Sequence, residues 1–411
     1  MQLTIVVLLG GLSVLLVGYG LLGTLLGIRA TIESFSNLQA GAIMAGYYLG
    51  YILGTWYAPG IVRRVGHIRA FAAFAALGSA TTVLFGLFTE VWIWLLLRLL
   101  NGASAVGLYV VVESWLHAQT PARIRGRIFA VYMITTLMAL AGGQFLLLVY
   151  DPAQLASFAL AGVLIMLAII PIVITRVTEP SLELHEAVPS RRLFSLSPLG
   201  VTGALAAGFV NGAFWGLTPV FGARLGYDEA AIAFLMSLTI AGGMVLQWPI
   251  GHLSDRHDRR RVLLAVTLCA LLVSGAEGYV VVGDLPGLVL LAFFYGGLMF
   301  SVYSISVAHT HDHLSSVQVL GATRTLLLLY GIGAFFGPLA GGMAMDRLGP
   351  MGLPSISAAC LLLLSLYAGY RMLRRAPPPL EEQSEFVSLA RTSPVVLEMY
   401  PQAEPEEADD S

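Results

Sequence analysis

The chain has 411 residues, 57% of them hydrophobic and only 11% charged, with a formal net charge of -2 and a mean hydropathy of +0.81. Soluble domains are excluded by these values, because their surfaces need far more charge. All 22 basic residues are arginine, so their placement carries more information than the net charge.

Twelve apolar stretches follow one another, at 3–28, 39–58, 70–88, 92–116, 128–150, 154–174, 199–221, 230–250, 262–282, 287–309, 324–344 and 353–371. A hydrocarbon core about 30 Å thick needs roughly 20 apolar helical residues, and a helix satisfies its backbone hydrogen bonds there without water. The first stretch lacks the basic start of a secretory signal and runs too long for one, so it reads as a span. The loops after spans 2, 4, 6, 8 and 10, with the tail, hold eighteen of the 22 arginines; Arg29, Arg224 and Arg347 lie elsewhere and Arg98 falls inside a span. This asymmetry predicts cytoplasmic N- and C-termini in a multi-pass membrane protein.

Residues 175 to 198, with Pro180, Pro189, Arg191 and Arg192, form the longest interior loop and divide six spans from six. The halves also resemble each other under a shift of about 192 residues: Met44, Gly50, Trp56 and Arg63-Arg64 fall opposite Met236, Gly242, Trp248 and Asp255-Arg256. The expected fold is therefore all-α, with twelve transmembrane helices in two pseudo-symmetric six-helix bundles. The bundles are placed at 1–177 and 199–375, with a cytoplasmic linker at 178–198 and a disordered acidic tail at 376–411. Glycines four residues apart (Gly46, Gly50 and Gly54; Gly333, Gly337 and Gly341) stack on one helix face. They predict tightly apposed surfaces between the halves.

Cys269 and Cys360 lie in apolar spans and read as small hydrophobes, neither a disulfide nor a zinc pair. No nucleotide-binding loop occurs, and no cofactor, metal or nucleic-acid partner is expected. The cluster His309, His311, Asp312, His313 reads as a polar loop, since alternate histidines on a helix face different ways.

Several local patterns carry mechanism. Gly251-x-x-x-Asp255-Arg256-x-Asp258-Arg259-Arg260 follows span 8, and Gly60-x-x-Arg63-Arg64-x-Gly66 follows span 2. Span 4 contains Arg98-x-x-x-Gly102, and span 11 contains Gly333-x-x-x-Gly337-Pro338-x-x-Gly341-Gly342. The first pattern resembles the G-x-x-x-D-R-x-G-R-R loop motif of the major facilitator superfamily, with Asp258 for the second Gly. The second keeps the basic residues but has Arg63 for the acid. The span 11 pattern is similar to one that antiporters of the superfamily carry in span 5, where this chain has Gly143-Gln144. Val-Val-Val-Glu113-Ser-Trp115, Arg125-Gly-Arg127 and Gln247-Trp-Pro-Ile-Gly251 resemble the bacterial YcaD-type group. The resemblance covers residues 1 to 375 and implies alternating access, two bundles rocking about one central site.

Within that frame, Asp255 is expected to accept from the positive N-terminus of span 5, near Arg127, and so to hold a gate closed. Arg256, Arg259, Glu113 and Arg63 complete the gating candidates, Glu113 as a relay carboxylate meeting Arg63, His67 or Arg69. A proton-coupling role for Glu113 is the second reading, because apolar surroundings raise a carboxyl pKa. Arg98 is costly in a span and lies about 22 Å from Glu113 along an ideal helix. Arg98, Asn101, Gln144, Asn211, Trp215, Tyr295 and Tyr330 are the candidates for solute or coupling contact, with Tyr19, Thr24, Tyr47, Tyr51, Tyr109 and Tyr303 as further cavity residues.

The reading is a secondary active transporter, not an enzyme, moving a small organic solute as a monomer in the bilayer, with proton coupling left open. The alternatives are a drug or metabolite efflux pump of the same fold and, in another class, an integral-membrane sensor or receptor.

Overall fold

A computed structural model describes residues 2–174, 187–277 and 285–374, together with residues 383, 386, 392 and 393. Residues 178–186 of the expected 178–198 linker, and most of the expected acidic tail, lie outside the described residues. The helices are α1 (Gln2–Ile32), α2 (Asn37–Val65), α3 (His67–Leu87), α4 (Val91–Gln119), α5 (Arg125–Gln144), α6 (Leu155–Leu167), α7 (Ile169–Ile174) and α8 (Ser190–Leu196). They continue with α9 (Pro198–Arg224), α10 (Glu229–Arg256), α11 (Arg259–Glu277), α12 (Leu285–His311), α13 (Ser316–Leu348) and α14 (Gly352–Arg374).

Ten helical segments are long and apolar enough to cross a membrane, α6 and α7 together forming one of them. Helices α2 and α11 complete the twelve. Their composition is more polar: α2 carries four tyrosines and α11 begins with three arginines. The sixth span is broken at Ala168, where Pro171 offers no N–H to the carbonyl of Leu167. Large apolar side chains such as Leu272 (71% exposed) and Leu363 (68%) cover the outside, as a lipid-facing surface requires.

Local chemistry sets the helix ends. Ser36 accepts from the Gln39 N–H at 3.1 Å while the Gln39 side chain accepts from the Ser36 N–H at 2.9 Å, a reciprocal cap on α2. Asp228 caps α10 by accepting from the Ala231 N–H at 2.8 Å. Gly66, at φ +87°, turns α2 directly into α3 through a conformation that side chains resist.

The repeat has a structural counterpart. Met44 and Met236 are both 1% exposed, whereas Trp56 and Trp248 are 58% and 75% exposed. Gly50 sits against the Leu99 carbonyl of α4, and Gly242 against the Phe293 carbonyl of α12. The glycine stripes, however, pack differently from the expectation. Gly46, Gly50 and Gly54 face α4, and Gly333, Gly337 and Gly341 face α9, each within its own half. Four-residue spacing marks a face of close approach without specifying which helix approaches it.

The halves meet through other residues, concentrated at one end. Gly41 of α2 lies against the Pro338 carbonyl of α13, Gly342 against the Asn37 carbonyl, and Gly27 of α1 against Pro219 of α9. Ser237 of α10 donates to the Ala141 carbonyl of α5 at 2.9 Å. This is the end where α2 begins and α13 finishes. The opposite, arginine-rich end holds the last turns of α2, α4 and α10.

Candidate functional site

A cavity of about 200 Å³ lies between the halves. Helices α1, α2, α4 and α5 wall it on one side, and α9, α10, α12 and α13 on the other. Its wall carries many aromatic side chains, among them Tyr19, Tyr47, Tyr51, Tyr109, Trp215 and Tyr330. Close helix approach shapes it: Gly20 of α1 rests on the Leu140 carbonyl of α5. This brings the Gln144 amide to donate to Gly20 O at 3.1 Å and to Leu140 O at 2.9 Å. Thr24 donates to the Gln144 carbonyl oxygen. Gln144 therefore lines the cavity but spends its hydrogen bonds tying α1 to α5.

Arg98 is the one charged residue in the described cavity wall. Its guanidinium carbon stands 4.8 Å from the Tyr47 ring centroid, a cation–π distance. One terminal N–H reaches Asn101 Oδ1 at a long 3.4 Å, and the buried Nε has no partner among the described residues. None of the described salt bridges involves Arg98. A cation held by a ring face and a weak amide contact, over a void, can take an anionic group without breaking an ion pair.

The cavity brings together Arg98, Gln144, Trp215 and Tyr330 of the sequence candidates, with Tyr19, Thr24, Tyr47, Tyr51 and Tyr109. Asn101, Asn211 and Tyr295 lie elsewhere. Asn101 is fully buried behind Arg98 and donates to Thr81 Oγ1 at 3.4 Å. Asn211 donates back to the Ala207 carbonyl at 2.8 Å within α9. Tyr295 faces a separate void of about 30 Å³ with Glu277, Ser274 and Ser357. Tyr303 supports the wall from behind, its ring 5.0 Å from that of Tyr330.

The gating candidates fall into separate groups. Asp255 accepts from Arg259 at 3.4 Å and from the backbone N–H of Phe386 at 2.8 Å. Arg259 is buried and pairs through Nε with Asp312 at 2.9 Å, joining α11 to the end of α12. Arg260 grips Asp258 at 3.0 and 2.9 Å. Partial burial pushes the Asp258 carboxyl up, yet the hydrogen bonds and charge of Arg260 outweigh it and hold its pKa below the ordinary carboxylate value.

Arg63 and Arg256 are exposed, whereas Glu113 is fully buried. Glu113 accepts from the hydroxyls of Tyr132 and Thr392 on one oxygen and from Ser393 on the other. His67, expected near it, pairs with Ser114, the next residue of α4, at 3.1 Å. In the histidine cluster, His311 pairs with Thr323 at 2.6 Å and His313 with the His309 carbonyl at 2.9 Å, so these side chains turn to separate partners.

The carboxylate-to-helix contact expected of Asp255 occurs at the other end, made by Asp346. Its two oxygens accept from the N–H groups of Asn37 and Leu38 at 3.0 and 3.1 Å, capping α2 across the boundary between halves. Arg224 of α9 adds donation to the Phe35 carbonyl at 2.7 Å. Asp346 escaped the sequence reading, although Gly342-x-x-x-Asp346-Arg347 repeats the spacing of Gly251-x-x-x-Asp255-Arg256.

A family model described as Major Facilitator Superfamily matches residues 7–328. The chain belongs to the major facilitator superfamily. An uncharacterized MFS-type transporter of Enterobacter sp. strain 638 is 28% identical over 371 residues, covering 89% of this chain and 96% of the relative. The uncharacterized MFS-type transporter YcaD of an Escherichia coli strain is likewise 28% identical, over 372 residues, with 89% and 96% covered. Among solved structures, the nucleoside transporter NupG superposes with a TM-score of 0.74 at 14% identity, covering 92% of this chain and all of that one. A bacterial homolog of the lysosomal transporter Spinster, inward-facing and occupied, gives 0.73 at 16% identity, with 92% and 97% covered. This superfamily member is thus a membrane-embedded secondary transporter of a small molecule, and not an enzyme.

Proposed function

We propose that the chain carries a small organic anion across the bacterial inner membrane as a monomer, with residues 1–177 and 199–375 rocking about the cavity. Arg98 carries this reading. A buried cation costs about 2.5–3.5 kcal/mol in a span on insertion scales, and this one lies in the cavity wall without a carboxylate partner among the described residues. The aromatic wall suits the apolar part of an amphipathic solute.

On this reading the arginine-rich end faces the cytoplasm, as the positive-inside asymmetry requires. The Asp346 end is the outer gate, here closed, so the conformation is inward-facing. Asp255, Arg256, Arg259, Arg63 and Glu113 serve the inner gate, engaging one another in the outward-facing state. Among the described residues the cavity wall holds no carboxylate, which favours Glu113 as a gating group over a proton carrier. A thermal-shift screen of purified protein against organic anions and matched neutral solutes tests the central point. A hit that stabilises wild type and not Arg98→Ala supports it. Equal stabilisation of both proteins, or hits confined to cations, contradicts it. Uptake into proteoliposomes with and without an imposed pH gradient then decides whether protons are coupled.

A further inference from the structure

The tail residues within the structure are placed on both halves. Phe386 donates its backbone N–H to Asp255 at 2.8 Å, and its ring sits directly against Gly251 of α10, where a Cβ would collide with it. Six residues later Thr392 and Ser393 are buried, 8% and 0% exposed. Their hydroxyls donate to the two oxygens of Glu113 on α4. Tyr51 of α2 donates to the Thr392 carbonyl at 2.8 Å, and the Tyr132 hydroxyl of α5 lies 3.1 Å from Thr392 Oγ1. Thr392 itself forms part of the cavity wall.

We propose that the arginine-rich mouth of the cavity is a docking site for the chain's own tail, which bridges the two halves through Phe386 and Thr392-Ser393 and must leave before solute can pass. The chemistry is specific. An ionised carboxylate only accepts hydrogen bonds, and Glu113 is buried, so it needs donors whenever the mouth is open to this depth. Two neighbouring hydroxyls supply one donor to each oxygen, and the phenols of Tyr51 and Tyr132 frame the same spot. Asp255 is held in the same way by a backbone donor. Both carboxylates read above as inner-gate groups are therefore occupied by the tail, so it competes with gate closure as well as with solute. The proposal rests on the reading of the cavity as the transport path.

Thr136 offers a direct reporter. It lines the cavity one helical turn beyond Tyr132, and its buried hydroxyl has no partner among the described residues, so Thr136→Cys removes no described hydrogen bond. In a full-length background with Cys269→Ala and Cys360→Ala, a charged, membrane-impermeant maleimide is added from the arginine-rich side. The wild-type tail should protect Cys at this position, and Thr392→Val with Ser393→Ala should raise the labelling rate at least tenfold, with Phe386→Ala giving a smaller rise. A synthetic peptide of residues 383–396 should restore protection to the double variant. Equal rates with and without the tail hydroxyls would overturn the proposal. So would a faster rate that the peptide leaves unchanged, which marks general loosening of the bundle. No labelling in any variant would overturn the reading of the cavity as a path, and the docking proposal with it. Labelling equally fast in all of them would leave the path standing and remove the tail from it.

Discussion

At the Asp346 end, the two halves touch backbone to backbone, Gly41 on Pro338 and Gly342 on Asn37, and a carboxylate of one half caps a helix of the other. At the arginine-rich end, Asp255 and Glu113 instead bind the tail. The same device, an Asp four residues after a Gly, thus makes an inter-half contact at one end and a tail contact at the other. On the proposed gating, each of these carboxylates needs a donor in each state, and the partner it has would report which state the molecule is in.

The most severe way to break this asymmetry is Gly41→Val. The added side chain meets the Pro338 carbonyl, and overpacking of this kind costs about 1–3 kcal/mol. The closed end should be lost, with transport abolished while the protein still inserts; two-sided accessibility labelling checks this. Arg98→Ala comes next. Hydrogen bonds to charged groups contribute about 1.5–3 kcal/mol, so affinity for an anionic solute should fall roughly 10- to 100-fold in calorimetry, with little change in the unliganded melting temperature.

Asp346→Asn tests the cap on α2. Such contacts are worth about 0.3–2 kcal/mol, so the population should move toward the state open at that end by a factor of roughly 2 to 30. Asp255→Asn, whose carboxylate is engaged among the described residues by Arg259 and Phe386, should shift the balance less, and single-molecule fluorescence between the ends separates the two. The smallest effect concerns pH. The Asp258 pKa is lowered in the folded protein, so its contribution is present above the ordinary carboxylate value of about 3.9. It is lost as pH falls through the lower folded value. Asp258→Asn should therefore lower the melting temperature slightly at neutral pH, and the difference from wild type should shrink as pH falls through the carboxylate range.

The spans were legible because the bilayer imposes a length: the stretch at 92–116 became α4, Val91–Gln119. Arg98 was legible because a charge in an apolar helix needs a reason. Which face a residue occupies was harder to read, since a helix buried all round shows no amphipathic contrast. Asn101, three residues after Arg98, lies behind the wall, and Asn211 and Tyr295 sit away from the cavity for the same lack of signal. Glycine spacing revealed close packing but not its partner. Asp346 was hidden by its place beyond the last apolar turn of span 11, where an acid looks like loop. Thr392 and Ser393 carry no pattern at all; only the fold shows that a buried carboxylate awaits their hydroxyls.

The most direct measurement is electron–electron distance spectroscopy on two label pairs in nanodiscs, Gln39 with Leu348 at the Asp346 end and Arg64 with His257 at the arginine-rich end. With Asp346→Asn, the first distance should lengthen and the second shorten, in matched proportions of the population. If both distances move the same way, or the second stays fixed while the first opens, the two ends are not alternating gates and the account fails.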